Sequence, residues 1–315
     1  MRRLALGIGA VAAFAGVYGL YRVFVTTATG QQIEHVALTG SERGRSRLWE
    51  TAGPILDTIS LPVIGAILVI ATVVALVRKR WFDAGFVFLA VGGATATTQL
   101  LKRLLDRPDT GLPWTGPNSF PSGHTTMAAA LTAALLFIAP ERWRGVLAAA
   151  GAFFTTAIGT STLVGAWHRP SDVVGAIFVA AGWYLLVRAF QPAVHAPPPA
   201  EFDSDTAEYP TVDPASVRPS SDDDNPFRPG RAIVVTLFGF AIVGAAVAAV
   251  TLFMTSQNTV RPSPGDYLLA YGGGVAGVLA TASFAFAIMA VAVPRHQRWI
   301  PPEPAPVSAD DAEPV

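Results

Sequence analysis

Long apolar runs recur along this chain of 315 residues, and they constrain its fold more than any other feature. A helix of about 20 such residues crosses a hydrocarbon core of about 30 Å. Charged residues make up only 14% of the chain, against about 25% in a typical soluble domain. The sequence therefore predicts an all-α polytopic membrane protein. Its predicted spans lie near residues 4–25, 55–77, 82–101, 125–140, 144–166, 172–190, 232–255 and 266–292.

The first apolar run has two interpretations. Arg2 and Arg3 precede it, as they would in a cleaved signal peptide. The run is long, however, and it keeps Tyr18 and Tyr21, which favours a retained membrane anchor. In both cases the segment that follows begins on the outer side of the membrane.

Two segments are rich in Pro, Asp and Ser and poor in aliphatic residues. Such segments cannot bury enough apolar surface to offset their chain entropy, and they are predicted to be disordered. The predicted organisation is a six-span core over 1–192, with its motifs within 100–172, and a cytoplasmic linker over 193–230. A two-helix transmembrane appendix follows over 231–293, and then a disordered tail over 294–315.

The residue types also exclude several kinds of function. The chain has no cysteine, so it holds no disulfide and no thiolate metal site. No carboxylate–histidine cluster has metal-ligand spacing, so neither a metal nor a cofactor is expected. The formal net charge is +0, and no basic patch predicts nucleic-acid binding.

Orientation is predicted from basic residues in short loops, which favour the cytoplasmic side. One side of the predicted topology holds Arg2, Arg3, Arg78, Lys79, Arg80, Arg142 and Arg144. The other side holds Arg43, Arg45, Arg47, Lys102, Arg103, Arg107 and Arg169. The two sides hold equal numbers of basic residues. If the last four residues of the second side have a chemical role and are left out of the count, the first side holds more. On that assumption, the N-terminus and the linker are cytoplasmic.

Three polar patches then lie at the outer ends of neighbouring spans. They are LKRLLDRPD at 101–109, PSGH at 121–124 and GAWHRPSD at 165–172. Ionisable groups at membrane depth are costly and mark functional sites. The three patches are therefore predicted to form one site.

Each patch alone also has a structural interpretation. The cations of the first patch could extend from a helix end to the interface. Ser122 could cap a helix after a turn shaped by Pro121 and Gly123. Pro170 suits the first turn of a helix.

Together, the patches fit phosphoryl transfer better. A phosphate ester needs cations and backbone N–H donors, which a Ser122-Gly123 turn at a helix start could supply. A neutral His168 imidazole could attack phosphorus, with Asp172 fixing its tautomer. His124 could protonate the departing oxygen.

The pattern resembles the type 2 phosphatidic acid phosphatase (PAP2) superfamily, as a membrane-bound bacterial-type member. The matching residues are Lys102, Arg107-Pro108, Pro121-Ser122-Gly123-His124, Ser161, His168 and Asp172. Members are metal-independent and share a helical core with vanadium haloperoxidases. The resemblance covers about 55–190.

By this resemblance His168 is the nucleophile, Asp172 its partner and His124 the general acid. Lys102, Ser122 and Gly123 would bind the phosphate.

Two family arginines are absent. The family places six residues between its lysine and its Arg-Pro pair, whereas this chain has four, so that Asp109 stands where the arginine is expected. Thr162 follows Ser161, where the third motif has an arginine. Arg107 and Arg169 are the predicted replacements.

The predicted function is a lipid phosphatase of the bacterial plasma membrane with its site on the outer side. It would hydrolyse a polyprenyl pyrophosphate, phosphatidic acid or phosphatidylglycerol phosphate through a phosphohistidine. The alternative is a catalytically weak family member that binds lipid phosphates or scaffolds envelope proteins.

The last two predicted spans carry a small-residue face. Gly273 and Gly277 let helix backbones approach closely in a bilayer, although glycine is common in membrane helices in any case. The hypothesis is that this face joins the two spans to each other, to the core, to a second copy or to a membrane partner. Truncation after about residue 192 is then expected to leave a folded core.

Overall fold

The computed structural model describes residues 2–42, 45–57, 81–112, 118–191 and 229–292. It also describes the separate residues 66, 69, 70, 73, 74 and 77.

The described residues form helices and connecting turns, with no strand among them. This confirms the predicted all-α membrane fold. The helices are α1 (Arg2–Leu20, continued by a π-helical turn Tyr21–Val25), α2 (Ala28–Glu42), α3 (Arg45–Asp57), α4 (Trp81–Leu104), α5 (Gly123–Ile138), α6 (Arg144–Val164), α7 (Pro170–Phe190), α8 (Pro229–Gln257) and α9 (Pro264–Ala292).

Within the described ranges, six helices are long and apolar enough to cross a membrane, namely α1 with its π-helical turn, α4, α6, α7, α8 and α9. Helix α5 is apolar but has only 16 residues, which corresponds to about 24 Å. It begins within the polar PSGH segment, after the Ser122 N-cap, and ends before Pro140.

Parts of the prediction lie outside the described residues. The predicted span at 55–77 falls mostly there, and those of its residues that are described are helical. The predicted linker also falls there, apart from its last two residues, which belong to α8. The tail over 294–315 is outside as well.

Helices α2 and α3 were not predicted, and they lie largely between the first two predicted spans. In α2 the apolar residues Ile33, Val36 and Ala37 recur at helical spacing. Their signal is weakened by Gln31 and Glu34, which are polar and nevertheless buried.

Helix α7 is the most buried of the six long helices. It packs against α1, α4, α5 and α9. Since lipid supplies no hydrophobic driving force between helices, close packing at small residues holds them together. Gly175 faces the Phe120 ring, and Gly182 faces the Phe14 ring of α1. This packing fixes the position of the start of α7.

The two C-terminal helices belong to the same compact unit as the other described helices. Helix α9 packs against α2, α6 and α7 as well as against α8. Gly273 faces the Thr251 side chain, and a Cβ at Gly277 would lie 3.6 Å from the Cβ of Ala248. The glycine face of α9 is therefore used inside the chain, against α8.

Candidate active site

The three polar patches meet at one end of the helix bundle. The Ser122 amide, just before α5, donates a 2.9 Å hydrogen bond to the Asp172 carbonyl in α7. A Cβ built on Gly123 would lie 3.9 Å from Lys102 Nζ, near the end of α4. The predicted convergence of the patches is therefore present in the structure.

Asp172 is the centre of the site, and its side chain is fully buried. Oδ1 lies 3.3 Å from an Arg107 guanidinium nitrogen. Oδ2 accepts a 2.6 Å bond from the Ser119 hydroxyl and a 3.0 Å bond from the Arg169 amide. His168 Nδ1 lies 3.3 Å from the same oxygen. One carboxylate thus gathers groups from three separate parts of the chain.

The His168 ring is held by the carboxylate of Asp172, four residues later in the chain. Because the Asp172 carboxylate accepts hydrogen bonds, a hydrogen bond from His168 requires the proton on Nδ1, and the neutral ring then has its lone pair on Nε2. The turn before His168 includes Ala166 at φ 54°, in the left-handed region. Such a conformation is uncommon for a residue other than glycine and occurs often at functional sites. The turn orients His168 toward the start of α7.

Arg107 is also buried, with 4% of its side chain exposed. One terminal nitrogen contacts Asp172, whereas Nε and the other terminal nitrogen are buried and lack a hydrogen-bond partner among the described residues. Buried N–H donors nearly always have a partner. Arg107 can therefore donate to an anion placed beside Asp172.

Arg169 lies next to this pair, and its side chain donates a 3.3 Å bond to the Ser119 hydroxyl. Burial, and then the positive charge of Arg107, lower the pKa of the Arg169 guanidinium, while Asp172 and Glu34 oppose this shift. With Arg107 it forms a positively charged pair at the buried carboxylate.

Ser122 is the N-cap of α5, as its structural interpretation predicted. Its hydroxyl is fully buried and accepts a 3.4 Å bond from the Thr125 amide. Its own amide is used by Asp172. The amides of Gly123 and His124 remain as first-turn donors without an intrahelical acceptor.

His124 lies beside an aromatic group that the sequence analysis did not identify. Its ring centroid is 5.7 Å from that of Trp167, which is 5.5 Å from that of Trp49. A cavity of about 570 Å³ opens here, and Glu42, Arg45 and Gly165 complete its lining. His124 also interacts electrostatically with His168 and Lys102.

Glu34 of α2 was missed as well. It is 2% exposed, and its Oε1 accepts a 2.8 Å bond from the Ser171 amide at the start of α7. Burial, and then the negative charge of Asp172, raise the pKa of Glu34 to about 7. Glutamate in a polar stretch gives no local sign that it will be buried beside residues 137 positions later.

Helix α2 also anchors the segment that carries Arg107. The Gln31 amide nitrogen donates a 2.9 Å bond to the Pro108 carbonyl, and its oxygen accepts a 2.7 Å bond from the Thr110 hydroxyl. This anchoring holds Arg107 over α7.

The two residues at the family's arginine positions do not face the site. The exposed Asp109 accepts a 2.9 Å bond from the Gly111 amide in a local turn. Thr162 is fully buried and bonds the Gly159 carbonyl within its own helix. Across the described ranges, no group of three or more histidine and acidic residues could hold a metal ion.

The fold and the site define an all-α membrane protein with a buried carboxylate–histidine pair and clustered cations. Residues 83–195 match the family model described as the PAP2 superfamily. This match confirms the predicted resemblance for these residues. No curated protein matches the chain, and no solved structure does.

Proposed function

We propose that this protein is a membrane lipid phosphatase that works through a phosphohistidine. The observation that carries the proposal is the Asp172 carboxylate, which contacts His168 Nδ1 and leaves Nε2 free to attack phosphorus. The match to a phosphatase-type family supports the same chemistry.

The phosphate would sit at the start of α5. Helix N-termini attract anions because their first amides lack intrahelical acceptors. The Gly123 amide supplies such a donor, Lys102 Nζ lies beside it, and the two free nitrogens of Arg107 supply more. Arg169 adds positive charge.

The proposed reaction has two steps. His168 Nε2 attacks phosphorus, the bond from phosphorus to the leaving oxygen breaks, and His124 donates a proton to that oxygen. A water molecule then attacks phosphorus and gives a proton to His124, while the bond from phosphorus to His168 Nε2 breaks and inorganic phosphate is released. Throughout, Asp172 stabilises the positive charge on the His168 ring.

The substrate would be a lipid phosphate with its tail in the bilayer. A polyprenyl pyrophosphate, phosphatidic acid or phosphatidylglycerol phosphate all suit the phosphate site. We further propose a bacterial plasma membrane location, with the site on the outer side and the N-terminus cytoplasmic.

A second candidate is a weakly catalytic protein that binds lipid phosphates or scaffolds envelope proteins. The burial of Thr162, with its hydroxyl bonded inside α6, favours it. Losing one preorganised donor to a transition-state oxyanion costs about 10²–10³ in rate.

A phosphate-release assay on purified full-length protein separates the two candidates. The panel contains the three lipid classes, and His168→Ala is the blank. The phosphatase predicts release by wild type and none by the variant, together with an acid-labile phosphoenzyme in wild type alone. Lipid-phosphate binding without release would favour the second candidate.

A further inference from the structure

A cavity of about 300 Å³ lies next to the candidate active site without including His168 or Asp172. Small-molecule pockets start at about this volume. Its walls come from α1 and its π-helical turn, α2, the first turn of α7, α8 and α9. Most of the lining is apolar, with Leu20, Phe24 and Ile33 on one side and the alanines and glycines of α8 and α9 on the other.

Three polar residues in this lining have a buried oxygen that makes no well-formed hydrogen bond to any described residue. They are Glu34 (Oε2), Ser171 (Oγ) and Thr255 (Oγ1), and each residue is at most 4% exposed. Glu34 and Ser171 are adjacent, since Glu34 Oε1 accepts the Ser171 amide. Buried polar groups almost always have hydrogen-bond partners. The Ser171 side chain interacts with the Glu34 carboxyl group, but Glu34, Ser171 and Thr255 together offer more hydrogen-bonding sites than the described residues fill. Around one apolar cavity, this surplus points to a ligand that supplies partners.

We infer that this cavity binds the hydrocarbon chain of an amphiphile whose hydroxyl group hydrogen-bonds to Glu34 and Ser171. The chain would lie along the alanines and glycines of α8 and α9. The inference concerns binding at a second site and does not depend on the proposed hydrolysis.

The charges around Glu34 favour a hydroxyl over a charged head group. An acidic head group would be repelled by Glu34, and Asp172 lies just beyond it. An ammonium group would meet Arg107 and Arg169 behind the carboxylate. Because burial raises the pKa of Glu34 to about 7, both of its forms exist at neutral pH. A hydroxyl can donate to the carboxylate and accept from the acid, so it suits both forms.

The cavity also reaches the outer surface of the bundle. Ala245 and Leu252 of α8 line it and are exposed. In a membrane this surface contacts lipid, so a chain can enter from the bilayer. The C-terminal helices thereby gain a role as one wall of a lipid site.

The test uses full-length protein in nanodiscs and two photoreactive probes. One is a hexadecanol with a mid-chain diazirine, and the other is its methyl ether, which cannot donate a hydrogen bond. Labelled residues are mapped by mass spectrometry. We expect the alcohol to label the lining of α8 and α9 about threefold to tenfold more than the ether, because one net hydrogen bond has about this effect. Excess unlabelled hexadecanol should compete.

Two variants sharpen the result. Ala245→Phe places a ring at the cavity wall, whereas Ala246→Phe makes the same change at the adjacent exposed alanine, which is not part of the lining. Only the first should reduce labelling, and by at least about threefold.

Glu34→Gln tests the polar end. The amide oxygen can keep the bond to the Ser171 amide, while an NH₂ donor replaces the free acceptor. The alcohol should then lose its advantage over the ether.

Equal labelling by alcohol and ether in wild type would overturn the inference, even if a variant failed to fold. So would equal labelling of the two alanine variants, or labelling spread evenly over the lipid-facing surface. A cavity filled only with water would give these results.

Discussion

At the scale of single residues, the site depends on how Asp172 divides its two oxygens. Oδ1 serves Arg107, while Oδ2 serves Ser119, His168 and the Arg169 amide. Replacing one oxygen by an NH₂ group must leave at least one of these donors facing another donor. Two predictions follow from this arrangement, and a third at this scale concerns Glu34.

Asp172→Asn should lower phosphate release by about 10²- to 10⁴-fold, because His168 would lose the acceptor that fixes its tautomer. Asp109→Asn is the control, since Asp109 is exposed and its carboxylate accepts a bond from the Gly111 amide in a local turn. Both variants are measured at saturating lipid phosphate. Equal rates for the two would contradict the role given to Asp172.

Arg107→Ala should reduce kcat/KM by about 10²–10³, the usual loss for one donor to a transition-state oxyanion. Arg103→Ala provides the matched control, because Arg103 is exposed at the end of α4. Similar losses in both variants would mean that Arg107 does not bind the phosphate.

Glu34→Gln should change how stability depends on pH. The folded pKa of Glu34 is raised from 4.5 to about 7 by burial and by Asp172, with Arg107 opposing. A raised carboxyl pKa contributes stability that is complete below pH 4.5 and is lost as pH rises through about 7. This change amounts to roughly 3 kcal/mol.

The measurement is thermal unfolding in detergent between pH 4 and pH 8. The advantage of wild type over Glu34→Gln should shrink across this range. His35 of α2 and Arg169 also lie nearby, so the comparison uses the difference between the two proteins. Parallel curves would show that Glu34 does not titrate in this window.

At the scale of helices, the close contact between α2 and α9 is the feature that local sequence patterns could not provide. A Cβ on Gly40 would collide with the backbone carbonyl of Tyr267. Gly40→Ala should therefore destabilise the protein by about 1–3 kcal/mol, as overpacking usually does. Gly92→Ala is the control, since nothing lies within 4 Å of a Cβ added there. Equal melting temperatures for the two variants would contradict this contact.

The sequence predicted the features that have a local signal and missed those that depend on contacts between distant positions. The long helices were predictable because their apolar runs are local signals, and the pairing of His168 with Asp172 was predictable because they are only four residues apart in one polar patch. Ser119, Glu34 and Trp167 carry no such signal. Ser119 and Glu34 reach the site from distant positions, and Trp167 belongs to a recognised patch but was not assigned a role.

For the whole molecule, the C-terminal helices complete the packing of the core. Phe286 of α9 is fully buried against Gly151 of α6, and Gly274 faces Pro170 at the start of α7. Removing α8 and α9 would expose these surfaces and open the cavity beside Glu34.

Truncation after Gln191 should therefore lower both thermal stability and phosphate release, in contrast to the folded core expected from the sequence. Size-exclusion chromatography and thermal unfolding of the purified proteins provide the measurement. A monodisperse truncation with the wild-type melting temperature would show that the first seven helices suffice.

The buried pair of Arg107 and Asp172 has one more consequence. The side chains of Arg107 and Asp172 are only 4% and 0% exposed, so both charged groups are removed from water. Such a buried pair is often no more stabilising than well-packed apolar residues of similar volume. Selection for folding stability alone would therefore favour apolar residues at these two positions. Under the proposed function, the pair trades stability for activity: we expect its replacement by apolar side chains to give a protein at least as hard to unfold and without phosphate release.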